Sequence, residues 1–414
     1  MEGPFSSKEE RILPRKHGRS VILYVDTKSR GGAEEHLLTL AGNLSHRGWS
    51  CEVCLPRHPA LEGLTKEIRD SGSSIRLRDY IDNGKPLLGV YGCRIFLSSL
   101  SYFAASRPSL IHFILPEPDF SRLPVLAAAI VGIPFIMAFH LPLAKTVPPL
   151  NRKIYHWLAT KSSSWLALSN HNSKLLSNIF HLPVERFQIV PNGIDYAKFH
   201  VQEKERQEAR KKVRAELGLA EDARLVIGIG RVEERKGFGY LAAAIPRVIN
   251  KHPDTIFLWA GELPDQESCG LHNSSKFQGL IEILREIEEL WHGRSCFLLL
   301  GHRKDVPRLL AAADIFVLPS LIEGHPLALL ESMAAGLPCI ATRGLGLSEV
   351  ITQEKDGLLV PPRDSKALAE SISRLLAEKR LAKSLGRAAA ERAKEFDLSV
   401  MLDKLESIYE ELLR

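Results

Sequence analysis

A chain of 414 residues with 45% hydrophobic and 25% charged residues has the composition of a folded globular protein, which excludes disordered and membrane-embedded classes, and it is too long for one ordinary core. The net charge of +6 is uneven: residues 1–200 hold 24 Lys and Arg against 16 Asp and Glu, the remainder 31 against 33. The basic first half suits an anionic acceptor or an anionic membrane surface, whereas the chain lacks the aromatic-interleaved basic runs and zinc-finger spacings that mark nucleic-acid partners.

In chain order, residues 1–19 are polar and charged with no apolar segment, so they read as a disordered tail and not as a secretory signal, and the expected location is cytoplasmic. Strands are predicted at 20–25, 50–55, 110–114, 134–139, 165–168 and 187–190, with helix-like segments between them. The first connection opens Arg30-Gly-Gly-Ala-Glu34 and continues with Leu37, Leu40, Ala41 and Leu44 at helical spacing. Its paired glycines allow a ligand close to the backbone, or make only a turn. The longest apolar run, Leu123 to Phe139, is divided by Pro134 and reads as a helix followed by a buried strand. Pro191-Asn-Gly-Ile-Asp195 and the charged stretch 203–216 mark a domain boundary. Strands follow at 224–229, 255–260, 296–300, 315–318, 338–341 and 357–360, and then a helical tail, 365–414, whose apolar face should pack on the body.

Strand and helix alternate nearly throughout, which is the pattern of α/β proteins with parallel sheets covered on both faces. Two doubly wound, Rossmann-like domains facing across a crevice are expected. The boundaries are 20–192, 193–385, and 386–414 for helices returning toward the first domain. Six cysteines are scattered; Cys51 and Cys54 lie in a strand-like run and read as structural thiols without a zinc site.

Chemistry concentrates in the second half. Pro326 suits the first turn of a helix that Gly336 would end, placing Glu323 in the preceding loop and Glu331 on the helix face of Leu327. The free amides of that first turn form an anion site, and carboxylates beside it accept hydrogen bonds from sugar hydroxyls. Phosphate plus polyol spells nucleotide sugar. Upstream, Gly228-Ile-Gly-Arg231 begins like a dinucleotide fingerprint, but Glu233 stands where the third glycine would, which argues against NAD. Arg231 and Lys236 instead present two cations suited to a diphosphate.

Together these motifs resemble the retaining GT-B glycosyltransferases of family 4, over about residues 20 to 410: Glu323 to Glu331 spaced as Glu-x7-Glu, Gly230-Arg231 to Lys236-Gly237, Pro191 to Asp195, Gly31-Gly-Ala-Glu34, and Ala313 to Ser320. The likeness implies that Arg231 and Lys236 bind the donor diphosphate and that Glu323 contacts the sugar hydroxyls near the reacting carbon. By the same likeness Glu331 holds the ribose, and the backbone around Gly324, Pro326, Leu327 and Ala328 completes the site, Pro326 offering no amide. Gly32 would lie against the donor from the facing domain. His140, at a strand end, matches a histidine beside the reacting sugar; His112 is a weaker candidate. Two departures stand out: Gly324-His-Pro326 where Gly-Phe-Gly is common, and the loose loop Gly344 to Glu349.

The implied function is retaining, metal-independent transfer of a hexose-type sugar from a UDP, GDP or ADP sugar to a hydroxyl of a glycan, lipid-linked or small-molecule acceptor, with no cofactor. Retention would follow from attack on the leaving-group face, the departing phosphate taking the acceptor's proton. Arg152, Lys153 and Lys161 beside Tyr155, Trp157 and Leu158 suit peripheral contact at the inner face of a membrane. The alternatives are a non-catalytic nucleotide-sugar-binding scaffold of a polysaccharide assembly system and a GT-B sugar-nucleotide epimerase.

Overall fold

The computed structural model describes residues 19–82, 89–142, 149–262, 282, 296–344 and 346–414. The tail 1–18, Cys269 and part of the loop at 344–349 lie outside the described residues. Seven parallel strands form the first sheet: β1 (Ser20–Val25), β2 (Ser50–Pro56), β3 (Ser74–Arg78), β4 (Leu110–Leu115), β5 (Phe135–Phe139), β6 (Ser163–Ala167) and β7 (Phe187–Ile189), in the order 3-2-1-4-5-6-7. Six form the second: β8 (Arg224–Ile229), β9 (Thr255–Ala260), β10 (Phe297–Leu299), β11 (Ile315–Leu318), β12 (Cys339–Thr342) and β13 (Leu358–Val360), in the order 10-9-8-11-12-13. Central strands such as β4, Leu-Ile-His-Phe-Ile-Leu, are buried along their whole length, as a sheet covered on both faces requires.

The sequence reading missed β3. Its residues, Ser-Ile-Arg-Leu-Arg, alternate apolar and basic at the sheet edge, and Arg78 is buried by pairing with Asp26 at 2.8 Å rather than by apolarity. His112, the weaker candidate, is the third residue of β4, fully buried, with Nδ1 2.7 Å from the Tyr409 hydroxyl, which makes it a core group.

The two halves are joined by crossing segments. Ile194 donates to the Phe396 carbonyl at 3.0 Å and Leu398 donates back to Ile194 at 2.8 Å. Helix Lys379–Ala393 gives Ala389 and Ala393 to the second domain's core, whereas helix Leu398–Leu412 gives Leu402, Leu405, Ile408 and Tyr409 to the first. The last helix of the chain thus packs against the first sheet.

Candidate active site

β8 and β11 are neighbours, with Ile315 opposite Val226 and Phe316 opposite Ile227, so the loops that follow them leave one edge of the sheet together. The loop after β8 ends in a short turn, Glu234–Lys236, and Gly237, whose φ of 71° is left-handed. A Cβ at Gly237 would stand 1.9 Å from the Pro319 carbonyl, which makes glycine obligatory where the two loops touch. The loop after β11 carries Glu323 and Gly324 into helix Leu327–Ala334, with Pro326 at its N-cap and Gly336 just past its end.

The two loops meet through charge. Lys236 Nζ lies 2.7 Å from Glu323 Oε1, and Arg235 Nη1 lies 3.6 Å from Oε2. Burial pushes the Glu323 pKa up, yet Lys236 and Arg235 outweigh it and hold the carboxyl below the ordinary value. Arg235 escaped the sequence reading, since its part shows only once the second loop is in place. It also donates to the Ile322 carbonyl at 3.3 Å and pairs with Glu233 at 2.6 Å.

Glu331, half-buried on the helix, has the opposite environment. Burial, and then the Glu35 carboxylate of the facing domain, push its pKa from 4.5 up to about 7, and its carboxyl group makes no hydrogen bond or ion pair among the described residues. At the head of the same helix the amides of Leu329 and Leu330 donate to the Pro326 carbonyl, at 3.1 and 3.3 Å. Those of Leu327 and Ala328 have no acceptor among the described residues, so two donors point out of the helix start.

Across the crevice stands the first domain. A Cβ on Gly31 would be 3.9 Å from Arg231 Nη2 and 3.3 Å from Glu34 Oε2, so Arg231 reaches the opening of helix Gly32–Leu44. Glu34 is a buried carboxylate raised in pKa by burial, with Thr27 as hydrogen-bond partner and Arg231 nearby. Gly32 itself is exposed and a Cβ there would meet nothing, so no protein contact demands glycine. His140 follows β5; a Cβ on Gly324 would stand 1.9 Å from its carbonyl oxygen, and its ring packs on His36 with centroids 4.8 Å apart. Burial and the neighbouring His36 and His112 hold the His140 imidazole well below the ordinary pKa, and its Nε2 has no partner among the described residues.

Further contacts clamp the loops after β11 and β12, and their partners are too far apart in sequence to be read from it. Asn172 Nδ2 donates to the Gly324 carbonyl at 3.3 Å and Asn192 Nδ2 to that of His325 at 2.8 Å, while Glu349 accepts from the amides of Asn170 and His171 at 2.8 and 2.7 Å. The side chain of His325 packs on Phe396, ring centroids 5.2 Å apart, on the side of the domain crossing. A separate cavity of about 240 Å³ opens in the first domain between Lys28, Arg57, His58, Asp79, Tyr80 and Tyr91, away from Glu323 and Lys236.

The model of the family Glycosyltransferase Family 4 matches residues 30–198 and that of Glycosyl transferases group 1 matches residues 223–378. The chain is 27% identical over 296 residues, 69% of this chain and 71% of the relative, to the UDP-Gal:alpha-D-GlcNAc-diphosphoundecaprenol alpha-1,3-galactosyltransferase of Escherichia coli. Among solved structures it is similar to a glycosyltransferase from Rickettsia africae (TM-score 0.79, 19% identity, 96% of this chain and 100% of that one). It is also similar to HepE of Anabaena in complex with UDP and glucose (TM-score 0.72, 19% identity, 94% and 98%).

Proposed function

The chain belongs to the GT-B glycosyltransferases of group 1 and family 4, and within that family we propose a retaining, metal-independent enzyme that moves a hexose-type sugar from a nucleoside-diphosphate sugar to an acceptor hydroxyl. The observation that carries this is the pairing of Lys236 with Glu323 across two loops of one sheet edge, beside the open amides of Leu327 and Ala328. A diphosphate entering there meets Lys236, Arg231 and the helix start. It takes Lys236 from Glu323 and leaves that carboxylate to accept from sugar hydroxyls. Glu331 accepts from the ribose, and Gly32 leaves room for the donor from the opposite wall. Preorganised positive charge then stabilises the leaving diphosphate as the anomeric carbon becomes cation-like, and the departing phosphate takes the acceptor's proton. His140, held neutral, faces the reacting sugar as an uncharged donor or acceptor.

In this reading residues 20–192 hold the acceptor, 193–385 hold the donor and 386–414 return to tie the two. The acceptor is a glycan, a lipid-linked species or a small molecule, in the cytoplasm or at the inner face of a membrane that the basic first half touches peripherally. The test is turnover. With UDP, GDP and ADP sugars and a panel of acceptors, one donor should raise Tm and be consumed, with transfer or slow hydrolysis lost in Lys236→Ala and Glu323→Gln. Tight nucleotide binding without turnover on any acceptor would sink the reading in favour of a scaffold.

A further inference from the structure

Four helices cover one face of the first sheet: Val90–Ser106, Arg122–Val131, Pro149–Leu158 and Asn170–Phe180. None contains an Asp or Glu. The connections between them bring only Glu117 and Asp119, and Glu185 follows the last of them. On the opposite face the helices Gly32–Leu44 and Glu62–Asp70 carry Glu34, Glu35, Glu62, Glu67 and Asp70, and the returning helix Leu398–Leu412 adds further carboxylates, so the asymmetry belongs to one face and not to the domain. On the carboxylate-free layer Arg94, Arg107, Lys153, Lys161 and Lys174 are exposed, and none forms an ion pair among the described residues.

Apolar side chains interrupt these cations. Of the seven large hydrophobic residues that are exposed among the described residues, five lie on this layer: Val90, Tyr91, Leu97, Ile130 and Trp157, with Leu97 60% and Ile130 54% exposed. Val90, Arg94 and Leu97 follow one another along one stripe of their helix. Trp157 has Lys161 Nζ 4.4 Å from its ring, an aromatic–cation pair at the surface. Tyr155 and Leu158, by contrast, are core residues under the same helix, so the membrane-facing set expected there reduces to Lys153, Trp157 and Lys161.

We infer that the outer face of this four-helix layer docks on an anionic lipid bilayer. Each exposed cation gains from the negative surface potential, and the apolar side chains enter the headgroup boundary. Helices antiparallel to the strands begin at the carboxyl edge of the sheet, so the end bearing Val90 and Tyr91 lies at the crevice, where a lipid-borne acceptor would be presented. Tyr91 also lines the cavity shared with Lys28, Arg57 and His58. The inference rests on the lipid-linked form of the acceptor proposed above.

The experiment is cosedimentation of the full chain with vesicles of phosphatidylcholine alone or mixed with phosphatidylglycerol. Binding should be confined to the anionic vesicles, collapse when salt is raised above about 0.5 M, and fall about a hundredfold in Arg94→Glu/Lys153→Glu/Lys161→Glu. The Tm rise with donor nucleotide should persist in that variant, which separates failure of docking from failure of the donor site. Equal binding to neutral vesicles, unchanged binding of the variant, or a dimer in solution that the same substitutions dissociate without any vesicle binding would each overturn it.

Discussion

The ammonium of Lys236 and the carboxylate of Glu323 are 2.7 Å apart, so one ion pair fastens the loop after β8 to the loop after β11. Glu323 is buried, and such a pair persists only because each charge offsets the desolvation of the other. In the proposed reaction this contact is exchanged for diphosphate on one side and sugar hydroxyls on the other, so the resting site is already charge-balanced.

Breaking either half should therefore cost both function and stability. Lys236→Ala and Glu323→Gln are each expected to lower kcat about a hundredfold or more. In denaturant titrations the double variant should lose less than the sum of the two, with a coupling of about 0.5–3 kcal/mol. Strict additivity would mean that the pair is not a unit.

How much of this was legible in the sequence depended on range. β1, β8, β9 and β11 were readable to the residue because apolar runs between turn signals are local properties, and the helix bounded by Pro326 and Gly336 announced both its ends. β3 was not, since Ile75 and Leu77 are its only apolar residues and the burial of Arg78 depends on Asp26. Arg235 and Asn172 looked like ordinary polar residues, and Asn192 and Glu349 only like members of a boundary motif and a loose loop, because their partners come from elsewhere in the fold. His112 misled because a polar residue in an apolar run looks functional until Tyr409, almost 300 positions away, is seen to satisfy it.

Two glycines should separate packing from ligand space. Gly324→Ala forces a Cβ into the His140 carbonyl, so the domains must part there, and a loss of about 1–3 kcal/mol with falling activity is expected. Gly32→Ala meets open space; Tm should move little while donor affinity falls. Thermal melts with and without nucleotide distinguish the two, and an unchanged donor affinity in Gly32→Ala would remove that residue from the site.

Glu349 acts as a cap supplied by the other domain. By accepting from the Asn170 and His171 amides it satisfies the start of helix Asn170–Phe180 and holds the crevice at that end. Glu349→Ala should cost about 1 kcal/mol and widen the domain opening, visible as a larger radius of gyration in small-angle scattering. No change in either quantity would show that the cap bears no load in solution.

Glu331 should make nucleotide binding pH-dependent. Burial first, and then the Glu35 carboxylate, raise its pKa from 4.5 to about 7, so the folded protein favours the protonated acid. Its contribution to stability is full below about pH 4.5, is lost as pH rises to about 7, and is constant above, whereas Glu331→Gln should lack that slope. A ribose donating two hydroxyls favours the ionised carboxylate, so binding near neutral pH should release a proton and tighten as pH rises through about 7. Titration calorimetry of UDP in buffers of different ionisation enthalpy reads that proton directly. Glu35→Gln should reduce the release by lowering the Glu331 pKa, and Glu331→Gln should abolish it; binding without proton release in the wild-type protein would place the ribose elsewhere.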